Sequence, residues 1–236
     1  MAIDQDAMKR AAAAKALEYL TDGMKLGLGT GTTAEIFLEF LAARVRGGLN
    51  VIGVPTSERT AEKARSLGIP LASLDDQAPL DLTIDGADEA DRKLNLLKGA
   101  GGALLREKIV AMSSKRMMVI ADKSKLVSRL GKFPLPVEVL EFGQKTTAER
   151  IRQVLAKFGY SDVSVTLRSR DGLTFVSDSG NLIYDCALNA ISSAPKLAAA
   201  LADVPGVVEH GLFIGVATTL IIAHPRKVEV IERDHP

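Results

Sequence analysis

Apolar side chains recur at helical spacing over residues 7–20, where Met8, Ala12, Leu17 and Leu20 share one face. Lys25 to Leu28 then reads as a short strand running into glycines. Thr32 and Glu35 form a Thr-x-x-Glu capping box that opens a helix through about Arg46. Val51 to Val54 is a second strand, and Ser57 to Leu67 a second helix closed by Gly68. Ile69 to Leu74 and Leu80 to Ile84 read as further strands, Ala103 to Ser113 as a helix, and Met117 to Ala121 as a strand again. Strands alternating with helices imply right-handed crossovers and a mostly parallel sheet covered on both faces.

The rhythm changes at Gly131. Phe133-Pro134-Leu135-Pro136 cannot lie in the middle of a central strand, because each proline removes a ladder donor. The pattern then runs strand (135–140), helix (146–158), strand (163–168), strand (181–185), helix (194–202) and strand (206–209), a β-α-β-β-α-β order that suggests a ferredoxin-like unit. Leu212 to Ile214 and Thr218 to Ile222 are apolar strands that could return to the first sheet. The reading is an α/β chain: an open, mostly parallel, Rossmann-like sheet from residues 1–130 and 208–236, with an inserted ferredoxin-like α+β unit at 131–207.

The chain has 236 residues, enough for one large domain or two smaller ones. Its 30 Lys+Arg balance 29 Asp+Glu, so no general electrostatic footprint for nucleic acid or an anionic membrane exists, and any anion must be held locally. The longest apolar stretches, such as Leu220 to Ala223, are strand-length, which argues against a membrane span. The opening residues lack an apolar signal core, and a single cysteine, Cys186, permits no intrachain disulfide; both fit a soluble, cytoplasmic protein.

Chemistry concentrates in a few segments. Gly27-Leu28-Gly29-Thr30-Gly31-Thr32-Thr33 lies between a strand and a helix start, where glycines permit close approach and free N–H groups suit a phosphate. Thr32 stands where a dinucleotide fingerprint needs Gly or Ala, and no Gly-Lys-Ser/Thr follows, so a monophosphate is favoured over NAD or a triphosphate. A plain strand-to-helix turn is the competing reading. Asp85-Gly86-Ala87-Asp88 follows an apolar strand end, where two carboxylates could move protons or bind hydroxyls, or merely cap a turn. Lys98 precedes Gly99-Ala100-Gly101-Gly102, small residues that admit a ligand, and Glu107 lies about one and a half turns into the next helix. A lone Glu beside Arg106 and Lys108 is ordinarily solvated, but Leu104, Leu105, Ile109 and Val110 crowd this one. Lys123 and Lys125 follow the strand 117–121 and could reach a phosphate. His210, His224 and His235 lack metal-ligand spacing with one another or with Cys186, so a chemistry free of metal and cofactor is the simplest expectation.

In these blocks the sequence resembles ribose-5-phosphate isomerase, type A. The resemblance rests on the 27–33 loop, Asp85 to Glu89, Asn95 to Gly99 running on to Arg106-Glu107-Lys108-Ile109, Ala121 to Lys125 with Gly131 to Val139, and Val204 to Phe213, in the family's order and spacing. It implies an aldose–ketose isomerase of the pentose phosphate pathway, acting on a small sugar phosphate and usually a dimer or tetramer. It implies that Thr30, Gly31, Thr32, Thr33, Lys125 and Lys9 hold the phosphate. Glu107 would be the base, and Asp85, Asp88 and Lys98 would contact sugar oxygens, with Gly86, Ala87, Gly99, Ala100 and Gly101 lining the site. Ala100 departs from the glycine common there, which would strain the loop if that position needs positive φ. Rival readings are a sugar-phosphate deaminase or coenzyme A transferase on the same architecture, and a sugar-phosphate-sensing domain of a regulator. The last would need a DNA-reading module for which the chain has no spare segment.

Overall fold

The computed structural model describes residues 4–233. In chain order the main domain begins with α1 (Gln5–Leu17), β1 (Met24–Leu28), α2 (Thr32–Arg46), β2 (Val51–Pro55), α3 (Glu58–Ser66), α4 (Leu74–Gln77) and β3 (Leu82–Asp85). Two short strands, β4 (Glu89–Ala90) and β5 (Leu96–Leu97), precede α5 (Leu104–Met112), β6 (Met117–Asp122) and a 3-10 turn at Lys123–Lys125. Then come β7 (Leu135–Val139), α6 (Gln144–Lys157), β8 (Val165–Leu167), β9 (Ser169–Arg170), β10 (Leu173–Thr174), β11 (Leu182–Cys186), α7 (Ala194–Ala202) and β12 (Val207–His210). The chain closes with β13 (Leu212–Phe213), β14 (Thr219–His224) and β15 (Lys227–Glu232).

The central sheet runs β15-β14-β6-β3-β1-β2, parallel throughout except for β15 at the edge. Alternation along its strands sends side chains to opposite faces. Met118, Ile120 and Ile221 join α1 and α2 in one core, while Met117, Val119, Leu220 and Ile222 join Phe213 and Leu96 in another. The chain steps from β1 outward to β2, then back across β1 to β3. That reversal leaves a crevice beyond the carboxyl ends of β1 and β3, where ligands of open α/β sheets bind.

The second sheet, β12-β7-β11-β8, is antiparallel and carries α6 and α7 on a core of its own, the expected ferredoxin-like pattern. Its entry is latched to the main domain by Glu89. That buried carboxylate accepts the backbone N–H of Gly131 and of Phe133, each at 2.6 Å.

Three expectations are corrected. Ile69 to Leu74 is not a strand: a single bridge joins Leu71 to Gly53, and Ser73 already caps α4, its hydroxyl accepting from Asp76 N. Leu212–Phe213 does not return to the central sheet. It pairs with β5 in a three-stranded sheet, β13-β5-β4, because Leu212 and Phe213 fill the two cores that meet there. Thr32 and Glu35 do not form a capping box. Gly31 (φ 117) takes the cap position without a side-chain hydrogen bond, and Glu35 pairs with Arg59 of α3 at 2.5 Å.

Candidate active site

The crevice deepens into a cavity of about 440 Å³. Its walls come from four segments: the 30–33 loop and α2 start, the 86–88 turn after β3, the 98–101 loop with Glu107 of α5, and the 122–125 turn after β6. Lys9 of α1 reaches in from the side and donates to Thr32 Oγ1 at 3.1 Å. Of the residues expected in the site, Lys9, Thr30, Gly31, Thr32, Thr33, Gly86, Ala87, Asp88, Lys98, Gly99, Ala100, Gly101, Glu107 and Lys125 line this one space.

Asp85 is the exception. It is fully buried behind the wall, where its Oδ1 accepts Thr30 N at 3.0 Å and Gly86 N at 2.7 Å. Gly29 makes this possible, because a Cβ there would overlap the Asp85 carboxylate and backbone. Burial pushes the Asp85 carboxyl up, and the Lys98 ammonium with the two N–H donors pulls it back. The Thr30 hydroxyl is also turned away from the cavity, into a cluster with Thr56 and Ser57 (both 2.8 Å) and Thr60 (3.0 Å). With its N–H given to Asp85 and its hydroxyl to this cluster, Thr30 shapes the loop, and the donors left for an anion are those of the following residues.

Lys98 is 2% exposed and stands between two carboxylates, its Nζ 3.0 Å from Asp85 Oδ2 and 3.3 Å from Glu107 Oε1. It also donates to the carbonyl of Gly86 at 2.6 Å. Burial alone would lower its proton affinity, but the charges of Asp85 and Glu107 reverse that and hold it above an ordinary lysine. Glu107 is 4% exposed, not solvated with its neighbours. Arg106 pairs instead with Glu58, and Lys108 with Glu209. Burial, with the charges of Asp85 and Asp88, raises the Glu107 carboxyl to about 8 against the pull of Lys98. Its Oε2 is buried and has no hydrogen-bond partner among the described residues. A carboxyl oxygen left unpaired on a cavity wall is chemically able to exchange a proton with a bound molecule.

Asp88 is half-buried and accepts Ala100 N at 2.9 Å. The loop bearing Ala100 is unstrained by it: positive φ falls on Gly99 (112°) and Gly102 (83°), not on Ala100. The residue that departs from the usual glycine therefore keeps its N–H role. At the far end, Thr32 and Thr33 open α2, so free N–H groups and the dipole face the cavity beside Lys9 and Lys125.

One cavity thus gathers a buried carboxyl, a buried ammonium and a helix N-terminus flanked by lysines. Residues 52–227 match the family model of ribose 5-phosphate isomerase A (phosphoriboisomerase A). The chain belongs to that family. It is 56% identical over 228 residues to ribose-5-phosphate isomerase A of Nitrobacter hamburgensis, covering 97% of this chain and 98% of that protein. It is 54% identical over 230 residues to that of Parvibaculum lavamentivorans, covering 98% and 100%. The solved ribose 5-phosphate isomerase of Plasmodium falciparum superposes with a TM-score of 0.91 at 36% identity, covering 98% of this chain and 100% of the other. A D-ribose-5-phosphate isomerase solved in complex with phospho-erythronic acid gives 0.91 at 35% identity, with the same coverage.

Within this family fold the cavity also takes in Gln5, Arg59 and Arg170, which no motif marks, and Asp122 and Ser124 of the 121–125 block, to which the sequence reading gave no role. Asp122 ends β6, and its carboxylate accepts Ser124 N at 2.8 Å, shaping the turn that carries Lys125. Arg170 comes from the β9–β10 hairpin of the second unit, its guanidinium 4.6 Å from the Phe175 ring. Nothing in the local sequence around Arg170 marks it. A larger cleft, about 630 Å³, runs along residues 91–95, 126–130 and 191–195, but its Asp91 and Arg92 are already engaged, with Asn95 and Glu229 respectively. His224 bonds Glu229 and His210 accepts Leu212 N, so neither faces the cavity; His235 lies outside the described residues. Among the described residues no helix is long and apolar enough to cross a membrane.

Proposed function

We propose that this protein interconverts D-ribose 5-phosphate and D-ribulose 5-phosphate through an enediolate. The single observation that carries the reading is the unpaired, buried Oε2 of Glu107 beside the Lys98 ammonium, on the wall of a cavity whose other end is a helix N-terminus flanked by lysines.

An aldose becomes a ketose when the proton on carbon 2, beside the aldehyde, is removed and returned to carbon 1. An ordinary carboxylate is too weak a base for this step, and burial strengthens it. Glu107 takes the proton on its free oxygen and delivers it to the neighbouring carbon, while the proton of the carbon-2 hydroxyl passes to the oxygen on carbon 1, so that the carbonyl moves from carbon 1 to carbon 2. Charge that grows on the carbonyl oxygen meets Lys98, which Asp85 and the Gly86 carbonyl hold in place before substrate arrives. Asp88, on the cavity wall, is the carboxylate placed to take a hydroxyl proton when the furanose ring opens. Asp85, behind the wall, acts through Lys98 and the backbone N–H groups of Thr30 and Gly86. The phosphate does not react; Thr32, Thr33, Lys9 and Lys125 hold it so that its binding energy positions a short sugar. Phospho-erythronic acid, bound by a related isomerase, has a planar carboxylate shaped like an enediolate, which supports this chemistry.

We take residues 131–207 as an inserted unit that supplies Arg170 to the site, and the family resemblance supports a cytoplasmic homodimer of the pentose phosphate pathway. The decisive experiment incubates pure, chelator-treated protein with ribose 5-phosphate and follows ketose formation. Ketose accumulating to a ribose–ribulose equilibrium is expected, and an inert protein overturns the reading.

A further inference from the structure

Arg168, at the end of β8, meets the catalytic loop from the other sheet. Its Nη1 donates to the carbonyl of Gly99 at 2.7 Å and of Ala100 at 3.4 Å. The same guanidinium is gripped by Asp185 of β11, Nε to Oδ2 at 2.8 Å and Nη2 to Oδ1 at 2.5 Å. The Arg168 side chain is 11% exposed, and Phe175, whose backbone N–H donates to the carbonyl of Arg168, presses its ring on Gly102.

A trans peptide is planar, so its N–H points opposite its carbonyl. The two peptides whose carbonyls face Arg168 therefore aim the N–H groups of Ala100 and Gly101 the other way. The first of these donates to Asp88 Oδ2 at 2.9 Å, and both residues line the cavity. Gly99 and Gly102, at φ 112 and 83, close this turn through Gly102 N to Gly99 O at 3.0 Å. Glycine-rich turns exchange conformers at low cost. A flip of the 99–100 peptide would set a carbonyl oxygen against the Asp88 carboxylate and remove its donor.

We infer that Arg168, oriented by Asp185, is a positioning residue for the isomerisation: it locks the 99–101 peptides so that their N–H groups face Asp88 and the sugar end of the cavity. The role rests on the isomerase reading above and deepens it. Only a guanidinium grips a carboxylate with one edge and carbonyls with another; the single ammonium of lysine does not.

The test compares wild type with Arg168→Ala, Arg168→Lys and Asp185→Asn, each alone and with Asp88→Asn. Misplacing the loop lowers kcat on ribose 5-phosphate by about ten- to a hundredfold in Arg168→Ala. KM and the inhibition constant of inorganic phosphate change little, because the phosphate end is untouched. Arg168→Lys does not restore kcat, added guanidinium partly does, and the Arg168→Ala loss shrinks in the Asp88→Asn background. Near-normal kcat in folded Arg168→Ala overturns the role. So does full additivity with Asp88→Asn, or weakened phosphate inhibition in step with kcat, the pattern of general distortion. If Arg168→Ala does not fold, Asp185→Asn, which keeps the arginine and loosens its grip, is held to the same outcomes. A wild type inert on ribose 5-phosphate ends the isomerase reading and this role together, whereas an active wild type with unaffected variants ends this role alone.

Discussion

Replacing Glu107 by Gln removes a charge and a proton acceptor while keeping size and shape. Lys98 keeps Asp85 at 3.0 Å and the Gly86 carbonyl at 2.6 Å, so the wall of the cavity stays in place. Turnover falls by at least about two orders of magnitude, the contribution of a positioned general base. The same substitution has an opposite effect on stability. The fold raises this carboxyl from 4.5 to about 8, so folded protein binds the proton more tightly than unfolded chain. The stability from that bound proton is fully present below about pH 4.5 and is lost as pH rises through about 8. At about 1.4 kcal/mol per pH unit the interval corresponds to an upper bound of about 5 kcal/mol. Glutamine does not titrate. Glu107→Gln is therefore increasingly more stable than wild type between pH 5 and pH 9, a gain of a few kcal/mol, on the order of the linkage bound. Denaturant melts across that range measure the gain, and a ketose assay measures the turnover. For wild type, kcat/KM rises with pH toward a plateau above about 8, because the base works only when ionised. Activity in Glu107→Gln above a tenth of wild type, or a stability difference that does not grow with pH, would refute the argument.

Lys125→Ala raises KM for ribose 5-phosphate and weakens inhibition by inorganic phosphate, with a smaller change in kcat; an unchanged KM removes Lys125 from the phosphate end. Lys98→Met leaves Asp85 and Glu107 facing each other, buried and without their shared cation. Unfolding in denaturant at pH 8 then requires about 3–5 kcal/mol less, and an unaltered midpoint would contradict the pairing.

Much of the architecture can be read from residue order because its signals are local. The 3.6-residue spacing of α1 and the apolar runs of β1, β3 and β6 act within a few neighbours, whereas Pro136, expected to stay out of a central strand, lies near the start of β7 between β12 and β11. The switch of rhythm at Gly131 marks a second sheet, and the structure supplies one whose order is that of a ferredoxin-like unit. The 30–33 end of the glycine loop, the Asp85–Asp88 turn, Lys98, Glu107 and Lys125 also stand out locally, and all but Asp85 line one cavity.

What residue order could not settle is where competing partners lie in space. Thr32 and Glu35 have capping-box spacing, yet Arg59, brought up by α3, takes the glutamate, and Lys9 of α1 takes the threonine hydroxyl. Thr30 looks like a phosphate ligand, but three hydroxyls from the segment after β2 claim its side chain. Asp85 and Asp88 are equivalent as letters; the depth at which β3 ends buries the first and leaves the second on the wall. Arg168, Asp185 and Arg170 carry no local mark, since they reach the site only when the second sheet packs against the 99–102 loop. Periodicity and turn chemistry are properties of neighbouring residues and survive in sequence. The proton affinity of Glu107 and the grip on its surrounding loops depend on distances of about 3 Å between segments far apart in the chain, which packing alone establishes.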